Sequence, residues 1–175
     1  VDIMAAGPPP LPTLPVINQE LFWSTYFGNF NGNEMHDNYI DASNNLYIAG
    51  GTTAGVYPFL NSLPLLWAGS WDAVVAKFNP DRSLKYGAWI GGSGWDEAWA
   101  ITADNSGNPC FSGPTAGSGF PLVSPVQSTI SGQGGFYAKL DDALNGTQLL
   151  ISTFLGYNVF NNGGFAIAAD ALGNV

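Results

Sequence analysis

Two adjacent acidic pairs, Asp96-Glu97 and Asp141-Asp142, are the residues of this chain best suited to acid–base chemistry. Glycoside hydrolysis, the reaction such carboxyls suggest, needs two of them flanking one bond. Neighbours along a strand project to opposite faces, so the members of one pair cannot share a site. Asp141-Asp142 also replaces Asn79-Pro80 of an earlier, similar segment, at a turn where solvated acids are ordinary. Asp96 and Glu97 precede a predicted inner strand, without a visible acid–base partner of tuned pKa. The single histidine, His36, aligns with Trp99 and Phe165 and reads as a packing substitution rather than a ligand or base. Cys110 is the only cysteine, which excludes an intrachain disulfide and paired-thiol metal or redox sites. A packed, inert thiol is expected there. The residues thus predict no catalytic group, no metal site and no cofactor, and the chain reads as a non-enzyme.

The most repeated polar element is a turn: Asp41-Ala-Ser-Asn-Asn45, Asp104-Asn-Ser-Gly-Asn108 and Asp170-Ala-Leu-Gly-Asn174. Aspartate oxygens suit calcium, but one carboxylate per turn falls short of the roughly 6–8 oxygens that ion takes. An Asx-type turn accounts for the spacing: the carboxylate accepts from backbone N–H groups two residues on, and Gly or Asn takes positive φ. Asp41, Asn45, Asp104, Asn108, Asp170 and Asn174 are therefore expected to be structural turn residues. Trp67, Trp71 and Trp95 fall in predicted loops. Loop aromatics stack on sugar rings or anchor a protein interface. The alternative, which we favour, is that each folds over its loop and seals a small core. Asn145-Gly-Thr147 has the form of a glycosylation sequon, but Asn-Gly is also a strong turn dipeptide, and a turn is expected.

These residues are positioned by a pattern that recurs along the chain. The turn aspartates are separated by 104 − 41 = 63 and 170 − 104 = 66 positions. Tyr26-Phe-Gly28, Trp89-Ile-Gly91 and Phe154-Leu-Gly156 recur with them, as do Ala76-Lys-Phe78 and Ala138-Lys-Leu140. Fixed-period self-similarity implies units that bury their apolar faces on one another. Short runs rich in aromatic and β-branched residues predict strands at Phe22–Phe27, Asn45–Gly50, Ala73–Phe78, Leu84–Ile90, Trp99–Asp104 and Phe165–Asp170, with His36–Asp41 as a polar equivalent of the last two. Capped helical periodicity is absent. Trp99 and Ile101, and Ile167 in the third copy, are expected to point into a core between the repeats. The expectation is an all-β partial β-propeller of four-stranded blades of about 64 residues, with the third blade incomplete. A Pro-rich linker or arm would occupy residues 1–20, with repeats at 21–86, 87–151 and, truncated, 152–175.

The order of these elements resembles the SBBP β-propeller repeat. It runs from Ser-Thr-Tyr-Phe-Gly through Asp-Glu-Ala-Trp-Ala-Ile, Asp-Asn-Ser-Gly-Asn and an aromatic-Pro pair to Ala-Lys-Phe-Asn-Pro. The likeness covers about Leu21 to Val175 and is densest from Trp89 to Gly113. The resemblance implies an exported bacterial or archaeal surface protein without shared catalytic machinery.

Charge limits the partners. Lys and Arg total four against 13 acidic residues, so no basic stripe exists to neutralise nucleic-acid phosphates or to hold an anionic membrane surface. No apolar run reaches the roughly 18 residues of a spanning helix, so membrane insertion is not expected. Three function classes remain: an extracellular structural or interaction module, a carbohydrate-binding propeller using loop tryptophans, and a fragment of a propeller hydrolase. The first is the expectation. Its partner would be protein, either the remainder of a longer chain or another protomer, with glycan as the alternative.

Overall fold

Alternating apolar residues between Asp, Asn and Gly turns fold into antiparallel ribbons. The computed structural model describes residues 23–28, 32–53, 69–146, 148–156 and 166–175, and they contain strands but no helix. The first sheet comprises β1 (Asn33–Ile40), β2 (Leu46–Thr52), β3 (Asp72–Phe78) and β4 (Leu84–Ile90). The second comprises β5 (Ala100–Ala103), β6 (Pro109–Ala116), β7 (Gln133–Leu140) and β8 (Leu149–Leu155). In each sheet the spatial order follows the chain and every pairing is antiparallel.

The aspartate turns set the first hairpin of each sheet. Asp41 Oδ1 accepts from the backbone N–H groups of Ser43 and Asn45 at 2.9 Å, and Oδ2 from the Asn45 amide at 2.7 Å. Asp104 receives the same set from Ser106 and Asn108, and Asp170 from Leu172 and Asn174. The fourth position of each turn has positive φ: Asn44 at 62°, Gly107 at 79° and Gly173 at 82°. Burial alone would raise the Asp104 carboxyl. The Lys139 ammonium at 2.5 Å, Asn108 and two backbone N–H groups outweigh that and hold it below its ordinary range.

The core lies between the two sheets. Tyr47, Ala49, Val75, Ala88 and Ile90 from the first meet Ile101, Phe111, Phe136, Ala138 and Phe154 from the second. Phe120, from the segment joining β6 to β7, wedges against Phe136 and Phe154 with ring centroids 4.7 and 5.8 Å apart. That segment then lies along the outer edge of β8. Val123 and Ser152 exchange backbone hydrogen bonds at 3.2 and 2.9 Å, and Phe154 N donates to the Gln127 carbonyl at 3.1 Å. An edge strand is thereby covered by the protein's own loop. On the opposite face of the first sheet, Trp23 and Phe27 meet the Phe78 ring edge-on.

Several expectations need correction. Residues 23–27 are not a strand. Their counterparts are β4 and β8, each paired with the third strand of its sheet, and no third strand stands beside 23–27 among the described residues. The sheets are consequently offset by one strand from the divisions at 86 and 151. Residues 166–175 also carry no strand; Ile167 is half-buried against the second sheet rather than sealed in a core. Trp99, expected beside Ile101 in the core, is only half-buried and lies at the seam between the sheets, whereas Ile101 is 3% exposed. The 1–20 arm and Trp67 fall outside the described residues.

Candidate functional site

Polar side chains gather where β1 meets the segment entering β5. The β1 register slips between Met35 and Asp37, which makes His36 the extra residue of a bulge. Glu34 and His36 approach Glu97, the counterpart of Glu34 at the 63-residue spacing (97 − 34 = 63). His36 Nε2 is 3.2 Å from Glu97 Oε2 and 3.9 Å from Glu34 Oε2. The Glu97 side chain is only 6% exposed, against 61% for Glu34 and 27% for His36.

Indole groups fix the buried carboxylate. Trp95 Nε1 donates to Glu97 Oε1 at 2.9 Å and Trp99 Nε1 to Oε2 at 2.5 Å. Trp95 and Trp99 meet edge to face at 6.0 Å, and His36 packs on Trp99 in the same way. Trp71 pairs with Trp95 in an isolated parallel bridge. Its indole lies over Gly51, where any Cβ would overlap the ring nitrogen and crowd Glu97. The structure therefore brings together Trp71 and Trp95 of the tryptophans singled out in the sequence, and adds Trp99. His36 keeps a packing contact but also faces two carboxylates, which alignment with Trp99 could not indicate.

Asp96 points away from Glu97, as strand alternation requires. It accepts from Gly92 N at 2.8 Å and from the Thr115 hydroxyl, has no exposed surface, and lies near buried Asp72. Burial outweighs the hydrogen bonds and, with the Asp72 charge, pushes its pKa up to about 6. A carboxyl without exposed surface cannot touch a substrate in this conformation. It should instead register in stability. A folded pKa above the ordinary 3.8 favours the protonated form, so the contribution is full below about pH 4 and lost as pH rises through about 6. Between pH 5 and 8 the protein should lose about 1–1.5 kcal/mol through this group. Melting temperatures of parent and Asp96→Asn should diverge across that window; parallel profiles would exclude the assignment.

A second polar centre ties the sheets together. The Asp142 side chain, expected to be solvated, is 13% exposed and accepts from Lys77 at 2.7 Å and Lys85 at 2.8 Å. Tyr86 Oη donates to it at 3.0 Å, and its own N–H donates to Asn108 Oδ1 at 2.9 Å. Lys77 Nζ sits 4.8 Å from the Tyr47 ring centroid. The Tyr47 hydroxyl lies between Asp41 Oδ2 and the Gly107 carbonyl, and Asn105 Nδ2 donates to the Ala171 carbonyl at 2.9 Å, so each aspartate turn touches the next. Cys110 is buried and its thiol is raised by that burial, the opposite of an activated nucleophile. Asn145 and Gly146 occupy a turn at φ 53° and 67°, and Thr147 lies outside the described residues. No protein-family model matches the chain, and no curated protein matches it.

Proposed function

We propose that this chain is a non-enzymatic, extracellular structural or interaction module of β-propeller type, in which each four-stranded sheet is a blade stacked on the next. Its partner is a further blade of the same kind, from a longer surface polypeptide or a neighbouring protomer. One observation supports this above the others. The first sheet packs on the second through Tyr47, Ala49, Val75, Ala88 and Ile90. The corresponding residues of the second sheet are Cys110, Ser112, Tyr137, Thr153 and Leu155. The last four line an outward groove of about 480 Å3, which Ile167 and Val175 enter from the third copy of the pattern. This face thus occupies the position through which its counterpart packs, and it still presents Leu155 at 46% and Val126 at 90% exposure. Apolar faces of this kind mark interaction sites. Surface location follows from the family resemblance.

A charge placed on this face tests the reading. Leu155→Asp should shift association toward smaller species by at least about tenfold in dissociation constant, with the β-sheet circular dichroism signal retained. An unchanged size distribution would remove the support. Carbohydrate binding is the second reading, favoured by the convergence of Trp71, Trp95 and Trp99 on an acidic group. Glycan-array binding abolished by Trp95→Ala would select it.

A further inference from the structure

The geometry points to a binding site for a first-row divalent metal ion, of which zinc is the representative, formed by Glu34, His36 and Glu97. The three donor atoms lie within 4.8 Å of one another. Around an ion with bonds of about 2.0–2.2 Å, neighbouring ligand atoms stand about 3–3.6 Å apart. The 3.2 Å separation between His36 Nε2 and Glu97 Oε2 already matches. The 3.9 Å separation to Glu34 closes with a small rotation of an exposed side chain.

Three features distinguish this cluster from a chance meeting of acids. The bulge in β1 falls at the chain's only histidine and sets its side chain beside a carboxylate 61 residues away. Bulges re-aim side chains in this manner at functional sites. The buried ligand is held from behind, since both Glu97 oxygens receive indole N–H bonds, the outer-shell support that orients metal-binding groups. Access is open on one side, where Glu34 reaches solvent and leaves room for water as a further ligand. An imidazole nitrogen with two carboxylates suits zinc and its neighbours, whereas calcium and magnesium prefer all-oxygen sets. Among the described residues no other group of three or more His, Cys, Asp or Glu ligand atoms comes together, and Lys139 occupies Asp104 while Lys77 and Lys85 occupy Asp142.

The experiment is calorimetric titration of zinc chloride into the chelator-treated 175-residue chain at pH 7.5, with the parent, His36→Ala and Glu34→Gln. The parent should bind one equivalent per chain, with tryptophan fluorescence responding through Trp95 and Trp99. Affinity should fall about 100-fold in His36→Ala and about 10-fold in Glu34→Gln. Glu34 is exposed, so its replacement leaves folding intact and the comparison valid. Absence of saturable binding by the parent, or equal affinity in parent and both variants, would overturn the assignment.

Discussion

Replacing Asp142 with alanine should destabilise the protein by about 3–5 kcal/mol, the usual consequence of removing one member of a buried ion pair. The reason lies in what remains. Lys77 is 3% exposed at its side chain and would be left buried without its carboxylate partner, while the Gly107 carbonyl at 3.4 Å offers only a weak dipole. Lys85, at 27%, can turn toward water. Tyr86 would lose its acceptor inside the interface as well. A loss of this size is a large share of the roughly 5–15 kcal/mol that holds a domain folded. It should lower the melting temperature by roughly 10 °C or more. Replacing Lys77 with methionine in the same molecule should recover a substantial part of the loss, because the penalty is an uncompensated charge rather than a missing attraction. Urea unfolding of the single and double variants measures the coupling. A single-variant loss under about 1 kcal/mol, the range of exposed pairs, would show that Asp142 is a surface acid after all.

Gly113→Ala should be comparably damaging for a steric reason. Gly113 lies in β6 where the chain entering β5 crosses closely, and an added Cβ would overlap the Glu97 carbonyl oxygen. Gly50 stands in the same relation to the Glu34 carbonyl, opposite the β1 bulge. Backbone cannot swing aside as a side chain does, so the expected loss is about 3 kcal/mol or more. Gly119→Ala provides the contrast. A Cβ there meets nothing within 4 Å, and only its φ of 82° is strained, at a cost of about 1–2 kcal/mol. Equal losses in thermal unfolding would contradict the close-approach argument. The same displacement should disturb Glu97, and with it the cluster at His36.

Much of this was visible in the sequence, because turns and strand alternation are local. The Asx-type turn implied the bonds that Asp41, Asp104 and Asp170 accept from the N–H groups two residues on, but not the further bonds from Asn45, Asn108 and Asn174. What the sequence concealed depends on distance along the chain. Asp142 reads as a turn acid because Lys77 lies 65 residues away and Lys85 57 residues away. Residues 23–27 carry strand-forming side chains, but a strand exists only with a neighbour to pair with. Alternation back from Ile101 would carry Trp99 into the core, but the chain entering β5 does not keep that register before Ala100: Glu97 N and Trp99 N donate to the Pro114 and Ser112 carbonyls across Gly113. The meeting of Glu34 with His36 and Glu97 had one available signal. Glu34 and Glu97 stand at corresponding positions, 97 − 34 = 63, and His36 lies two residues from Glu34 on the same strand, so adjacent copies of the pattern would bring the two carboxylates near one another.

If the two sheets are blades, as proposed, the outer face of the second requires a further sheet. Sedimentation velocity over a hundredfold range of concentration, combined with thermal unfolding, tests it most directly on the 175-residue chain. The account predicts association that grows with concentration or a marginally stable, aggregating monomer, either of them altered by Leu155→Asp. A monomer at every concentration that unfolds in one cooperative transition with high stability would contradict it.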